Sequence, residues 1–194
     1  KYLNSPETEI FEKGKNLFGL DKSALSIRKK DYAVVVEGYF DVMALHDSGI
    51  TNVVASLGTA LSSNQITLLS RSTDSKKILL NFDSDNAGIR AANRAISEVE
   101  NLAIQGQLDL RVLQLPSGKD PDEFLKNNSP SEYEALAAKS PLWMDWQIDE
   151  SLKDLDLNKS DQFQVAVSDL VILLSKLPQT AIRTHYLQKV AQLL

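Results

Sequence analysis

The chain has 194 residues and a hydrophobic fraction of 43%, which suffices for one core or for one core and a small second one. It has no cysteine and no apolar run long enough to span a bilayer, so disulfides, thiolate metal sites and membrane insertion are excluded, and we expect a cytoplasmic protein. The net charge of −5 argues against a protein that coats DNA without sequence preference.

The first thirty residues differ from the rest in charge. Residues 1–30 contain seven lysines and arginines against four acids, a net charge of +3, so the remainder carries −8. A basic segment beside an acidic body is compatible with phosphate binding, and equally with an ordinary solvated surface. Residues 20–30 are consistent with a short helix. We expect this segment to complete a domain that lies upstream, and the chain to be part of a longer protein.

Strand and helix patterns alternate between residues 32 and 115. The predicted strands cover 32–37, 52–56, 77–82 and 109–114, and the predicted helices cover roughly 40–48, 62–72 and 86–104. Ser62 and Gln65 form a possible capping box, and Gly49 stands where the first helix should end. With right-handed crossovers this order predicts an α/β fold: a mostly parallel four-stranded sheet with helices on both faces.

After Pro121 only helical patterns remain. The predicted helices cover 122–127, 131–139, 141–153, 160–177 and 180–194. An apolar stripe in the fourth of them is expected to pack in a small helical core, and its members are Leu170, Val171, Leu173, Leu174 and Leu177. The resulting domain prediction is 1–30, 31–127 and a helical subdomain at 128–194.

Acidic residues follow three of the four predicted strands. These residues are Glu37 and Asp41 after the first strand, Asp83 and Asp85 after the third, and Asp120 and Asp122 after the fourth. Because the carboxyl ends of parallel strands share one edge of a sheet, we expect the acids to converge there. Each group alone has a simpler explanation: Glu37 as a solvated strand end, Asp83 and Asp85 as a turn, and Asp120 as a helix start.

Convergence of carboxylates has an electrostatic cost. Two like charges about 4 Å apart repel by ~1 kcal/mol in water and by ~4 kcal/mol near a protein surface. A divalent cation would supply the missing counter-charge, and ligands that are all oxygen favour Mg²⁺ or Mn²⁺ over zinc. The chemistry that suits such a site is phosphoryl or nucleotidyl transfer.

Several segments resemble a known family. Residues 37–41, 55–60 and 82–88 are similar to the Toprim fold, which bacterial primases, topoisomerases and some nucleases share. Residues 1–19 and 115–122 resemble the corresponding segments of the bacterial, DnaG-type primases in particular. The resemblance covers nearly the whole chain, most weakly after about residue 140. One departure is Ser84, which stands where the family more often has glycine between the paired aspartates.

The resemblance implies roles for individual residues. It implies that Glu37, Asp83 and Asp85 are catalytic residues and metal ligands, with Asp120 and Asp122 as further ligands of Mg²⁺ or Mn²⁺. The residues that it implies near the nucleotide or template are Lys1, Asn4, Lys13 and, at the edge of the metal site, Asp41.

The implied activity is DNA-directed synthesis of short RNA primers from ribonucleoside triphosphates on a single-stranded DNA template at the replication fork. A replicative helicase is the implied partner, through a domain expected to be absent from this chain, as are the zinc-binding module and most of the basic amino-terminal subdomain. Two alternatives stay open: another Toprim enzyme, such as a nuclease or topoisomerase, and a helical docking module without catalysis.

Some chemically capable side chains are assigned structural roles. His46 and His185 show no spacing that would pair them with each other or with the acids, so we expect them at the surface or in helix packing. Trp143 and Trp146 are expected to fill the helical core rather than to stack on bases. Tyr39 is interpreted as structural and not as a topoisomerase nucleophile.

Overall fold

A parallel four-stranded sheet forms the centre of the computed structural model, which describes residues 7–9, 11–56, 61–116 and 120–194. The strands are β1 Tyr32–Val36, β2 Val53–Ala55, β3 Lys77–Asn81 and β4 Asp109–Val112. Their order across the sheet is β2-β1-β3-β4, and every neighbouring pair is parallel. The predicted α/β architecture is confirmed. The two central strands, β1 and β3, are each followed in the chain by acidic residues.

Helices follow the strands in the predicted order. They are α1 Leu20–Lys30, α2 Tyr39–Asp47, α3 Ser63–Ser70, α4 Asn86–Ile104, α5 Pro121–Leu125 and α6 Pro130–Ala138. The capping box of Ser62 and Gln65 is present at the start of α3, and Gly49 adopts a φ of +92° after the end of α2. These local signals therefore set the helix bounds that the sequence predicted.

Both faces of the sheet are buried. Val34 and Val36 of β1 belong to a core that includes Val42, Leu45 and Phe124 from α2 and α5. The alternate residues of β1 are equally buried, since Ala33 and Val35 are 0% exposed. A strand that is apolar on both faces is typical of a sheet covered by helices on both sides.

The amino-terminal segment packs on this sheet. Phe18 and Ala55 exchange two backbone hydrogen bonds of 2.9 and 3.1 Å, so the segment covers the free edge of β2. Ile27 of α1 is fully buried. We expected the segment to complete an upstream domain; in this structure it adds to the core of the sheet.

The chain divides into two compact units, the first ending at Leu142 and the second comprising Trp143–Leu194. The boundary drawn from the sequence between residues 127 and 128 therefore precedes α6, which lies in the first unit. The second unit contains α7 Trp143–Leu152, α8 Ser160–Ser175 and α9 Ala181–Leu193. Among the described helices, none combines the length and the apolarity that crossing a membrane requires.

The helical core of the second unit differs from the prediction at one position. Trp143 and Trp146 are buried as expected, and four of the five residues of the apolar stripe are buried, but Val171 is 61% exposed. The assignment of Val171 to the core was wrong. Leu170, Leu173, Leu174 and Leu177 have the i, i+3, i+4, i+7 spacing of one helix face, whereas Val171, rotated by about 100° from Leu170, lies outside that face.

Candidate active site at the carboxyl edge of the sheet

Glu37 directly follows β1 and is half-buried. Gly38 precedes α2, and its backbone N–H donates a 3.1 Å hydrogen bond to Oδ2 of Asp41 in the first turn of that helix. A Cβ on residue 38 would come within 2.8 Å of the same oxygen. The turn after β1 therefore brings Asp41 back toward the sheet edge.

Asp83 and Asp85 lie in the turn between β3 and α4. Oδ1 of Asp85 accepts hydrogen bonds of 2.8 Å from the backbone N–H groups of Ala87 and Gly88, so Asp85 is also the N-cap of α4. Ser84 has no positive φ, since the described non-glycine residues with positive φ are Asp31, Lys76 and Asp154. The serine is therefore accommodated in this turn without backbone strain.

The third acidic group starts α5. Oδ1 of Asp120 accepts a 2.7 Å hydrogen bond from the backbone N–H of Glu123, and Pro121 occupies the first helical turn. Asp122 forms an exposed ion pair of 2.7 Å with Lys126. The simpler explanation from the sequence, a helix start, is thus correct for Asp120, and it does not exclude a second role for the same carboxylate.

The structure brings the three acidic groups together. Burial raises the pKa of Asp83, and the charges of Asp120 and Asp85 raise it further. Burial also raises the pKa of Glu37, with added contributions from Asp83 and Asp85, while the backbone N–H of Asp83 and the charge of Arg94 oppose the shift. Carboxylates that follow three different strands therefore repel one another at a single edge.

Asp41 belongs to the same electrostatic group. Burial raises its pKa from 3.8 to about 6, the Gly38 N–H opposes this, and the charges of Asp120, Asp83 and Asp122 add to it. The sequence assigned Asp41 to the edge of the site, and its electrostatic neighbours are the acids after β3 and β4.

A cation would complement this arrangement. Oε1 of Glu37 is buried and has no hydrogen-bond partner among the described residues. An orphaned carboxylate oxygen among acids with raised pKa values fits a divalent ion bound through oxygen. Within the described part of the chain, however, no group of three or more potential ligands already has the geometry to hold a metal. The electrostatic fit is therefore present, whereas closure of the ligands around an ion requires some side-chain movement.

We predict that the metal-free protein becomes more stable as the pH falls from 7 to 5. An acid whose pKa is higher in the folded than in the unfolded chain takes up its proton preferentially in the folded state, so its destabilising charge is lost as the pH falls through about 6. Urea unfolding at pH 5, 6 and 7 measures this effect. Asp41→Asn should flatten the profile, and an equal slope in the variant would contradict the assignment to Asp41.

Of the three polar residues predicted to bind the nucleotide or template, Lys13 is among the described residues. Lys1 and Asn4 lie outside them. Lys13 is half-buried in a short 3₁₀ turn, where its carbonyl accepts a 2.9 Å hydrogen bond from Nε2 of Gln65. The turn is thereby fixed to α3, and a nucleotide- or template-binding role for these three residues stays a prediction.

The residues assigned structural roles make packing contacts or hydrogen bonds. Nε2 of His46 lies 3.1 Å from the carbonyl of Val53, and the Tyr39 ring packs on that of Phe18 at 4.7 Å between centroids. His185 is exposed and contacts the ring of Tyr186.

Two features of the site were not predicted from the sequence. Arg94 on α4 is close enough to Glu37 to oppose the rise in its pKa. Its position two turns after the Asp83 turn could have indicated this. Asn81, the last residue of β3, bonds through Oδ1 to the hydroxyl of Tyr133 at 2.7 Å. No local pattern indicates a contact between residues 52 positions apart.

Comparisons with known proteins agree with this geometry. A family model described as Toprim-like matches residues 34–125. A DNA primase of Synechococcus elongatus is 62% identical over 192 residues, and one of Synechocystis sp. is 48% identical over 196 residues. The matches cover 99% and 100% of this chain but only 28% and 31% of the relatives, so the chain spans about a third of their length.

Solved structures are similar over nearly the whole chain. The DnaG primase catalytic domain bound to single-stranded DNA has a TM-score of 0.80 and 33% identity, covering 99% of this chain and 61% of that one. The RNA polymerase domain of Mycobacterium tuberculosis primase DnaG has a TM-score of 0.84 and 30% identity, covering 99% and 60%. Both units of this chain therefore have counterparts in primase polymerase domains.

One expectation is overturned by these comparisons. A second family model, described as the DnaB-helicase binding domain of primase, matches residues 144–194. From the sequence we expected the helicase-binding domain to be absent, and that was wrong. The apolar stripe in residues 160–177 predicted a helical core but carried no information about a partner.

Proposed function

Since the chain belongs to the DnaG-type bacterial DNA primases and contains their Toprim domain, we propose that it carries the catalytic acids that join ribonucleotides into RNA primers on a single-stranded DNA template. The observation that carries this proposal is the electrostatic coupling of carboxylates from three strand ends, together with the buried and unpartnered Oε1 of Glu37. The electrostatic cost of that arrangement is compensated when a divalent cation binds.

The acids have distinct proposed roles. Glu37, Asp83 and Asp85 are the catalytic ligands, with Asp120 and Asp122 completing the ligand set for Mg²⁺ or Mn²⁺. Bound metal supplies stabilisation of the charge that develops on the attacking 3′-oxygen and on the leaving pyrophosphate. Asp41 sits at the rim, where burial raises its pKa to about 6. Glu37 is additionally suited to accept the proton of the 3′-hydroxyl, because burial raises its pKa.

Basic and polar groups are proposed to hold the anionic reactants. Lys1, Asn4 and Lys13 belong to the segment with a net charge of +3, which suits triphosphate or template binding. The acidic remainder is unsuited to gripping a phosphate backbone, so the main template contacts are proposed to come from the rest of the polymerase domain. For the second unit we propose helicase binding, on the strength of its family match.

The alternatives are less well supported. A Toprim nuclease or topoisomerase is disfavoured because the named relatives are primases and the similarity extends over both units. A docking module that binds no metal would leave the cost of burying the unpartnered Oε1 of Glu37 uncompensated.

We predict that Mn²⁺ raises the melting temperature of the chain. At ten times its dissociation constant, one bound ion adds about 1.4 kcal/mol to the free energy of unfolding. For a chain of this size each kcal/mol corresponds to roughly 2–4 °C. Differential scanning fluorimetry with 0–10 mM MnCl₂ measures the shift. NaCl at the same ionic strength, without divalent ions, is the control. A melting temperature that does not change with MnCl₂ would favour the docking alternative.

Activity is tested in a chimera. The chain replaces the matching segment of the Synechococcus elongatus primase, and primer synthesis is assayed with labelled ribonucleotides on single-stranded DNA. The proposal expects metal-dependent primers, and specific DNA cleavage without primers would favour a Toprim nuclease.

A further inference from the structure

Tyr133 is a fully buried tyrosine that the catalytic proposal leaves without a role. It lies on α6 and is 0% exposed. Its hydroxyl donates a 2.7 Å hydrogen bond to Oδ1 of Asn81. Burial raises the pKa of Tyr133 well above its usual value, which keeps this hydroxyl protonated and able to donate. The hydroxyl of a buried tyrosine usually has a hydrogen-bond partner, and here that partner is the last residue of the strand that precedes Asp83 and Asp85.

Asn81 connects Tyr133 to the two segments that lead to Asp83 and to Asp120. It is the last residue of β3, only two positions before Asp83, and it is 1% exposed. Its Nδ2 donates a 3.1 Å hydrogen bond to the carbonyl of Leu113, just beyond β4. Further along the same two segments, Oγ of Ser84 lies 3.4 Å from the carbonyl of Leu115. The Asn81 amide therefore joins the segment that leads to Asp83 with the segment that follows β4.

The ring of Tyr133 reaches the third acidic group. It packs edge-on against Phe124 of α5, with 6.2 Å between ring centroids. The backbone N–H of Phe124 donates a 2.9 Å hydrogen bond to the carbonyl of Asp120. Tyr133 also lies close enough to Asp41 for that charge to contribute to its raised pKa. One side chain thus adjoins the elements that carry Asp83, Asp120 and Asp41.

We propose that Tyr133 and Asn81 form a positioning pair that fixes the relative placement of these acidic groups and so sets the affinity of the site for a divalent cation. The inference rests on the proposed metal site. Removing the hydroxyl would leave Oδ1 of Asn81 buried without a donor, and the amide would relax away from Leu113 to find one. Groups that orient metal ligands from behind typically contribute about 10–100-fold to metal affinity.

The test compares Mn²⁺ binding by the 194-residue chain and its Tyr133→Phe variant, using electron paramagnetic resonance of free Mn²⁺ at a temperature where both are folded. We expect the variant to bind at least about tenfold more weakly. The matched control is Tyr186→Phe, which removes the hydroxyl of another buried tyrosine, one that bonds to Asp145 in the second unit. The control should lose stability but keep the wild-type Mn²⁺ affinity.

A double-mutant cycle assigns the effect to the pair. If Tyr133 acts through Asn81, the Asn81→Ala/Tyr133→Phe variant should lose no more affinity than the more affected single variant. Hydrogen exchange of the Asp83 and Asp85 amides, expected to accelerate in Tyr133→Phe, gives a readout that needs no metal. Wild-type Mn²⁺ affinity and unchanged exchange in Tyr133→Phe would overturn the inference. Failure of the unmodified chain to bind Mn²⁺ would instead overturn the proposed metal site.

Discussion

Replacing Asp83 with asparagine should abolish primer synthesis by the chimera while leaving the metal-free chain at least as stable as the wild type. Asp83 is the acid whose charge bears on most of the site, since it raises the pKa of both Glu37 and Asp41 and is itself affected by Asp120 and Asp85. The substitution keeps the shape of the side chain and removes one charge from a group of mutually repelling carboxylates. Relief of that repulsion favours the folded state.

The loss of activity follows from the same charge. A bound divalent ion stabilises the transition state of nucleotidyl transfer by several kcal/mol, and about 1.4 kcal/mol corresponds to a tenfold change in rate. Loss of the ion should therefore lower primer synthesis by roughly a thousandfold or more. The melting shift caused by Mn²⁺ should disappear together with the activity.

Asp83→Asn is expected to lose primer synthesis and to keep or gain stability without metal, and this combination distinguishes the loss of a metal ligand from misfolding. A variant that is inactive because it is misfolded would have a lower melting temperature without metal, whereas a variant that lacks a metal ligand would not. Asp122→Asn is a useful comparison, because Asp122 is already paired with Lys126 and its loss should weaken binding less. Normal priming by Asp83→Asn would remove Asp83 from the catalytic site.

The sheet and the meeting of the acids could be predicted because both follow from short-range patterns. The run Ala33–Val36 is apolar at every position, which indicates a strand buried on both faces, and a sheet of such strands is parallel. Once the strands are parallel, their carboxyl ends must share an edge. Glu37 and Asp83 are therefore neighbours for a reason that needs no knowledge of side-chain packing.

The remaining features depend on contacts that the sequence does not encode locally. The bond between Tyr133 and Asn81 joins α6 to β3, and a tyrosine in an amphipathic helix gives no sign of which buried amide it will reach. Phe18 pairs with the edge of β2 through backbone groups alone, so its side chain carries no signal of that pairing. The position of Val171 depended on helix rotation, which a cluster of adjacent apolar residues leaves undetermined.

Gly88→Ala should be strongly destabilising, against the usual preference of helices. Residue 88 lies in the first turn of α4, where alanine in place of glycine would ordinarily stabilise by up to ~1 kcal/mol. A Cβ built at Gly88 would lie 1.9 Å from the carbonyl oxygen of Asp83 and 2.6 Å from its carbonyl carbon. Both atoms are backbone, so no rotation of a flexible side chain can relieve the clash, and the Asp83 turn or the helix must move.

The displacement should affect stability and the site together. Forced repacking of this kind costs about 1–3 kcal/mol, which for this chain is a fall in melting temperature of a few degrees to about ten degrees. Because the atom that must move belongs to Asp83, Mn²⁺ affinity should fall as well. Gly14→Ala is the matched control, since its Cβ would meet only Ser62, at 3.9 Å, and its effect on stability should stay within ~0.5 kcal/mol. An increase in melting temperature on Gly88→Ala would mean that α4 does not approach the Asp83 backbone so closely, and that this contact does not hold the turn in place.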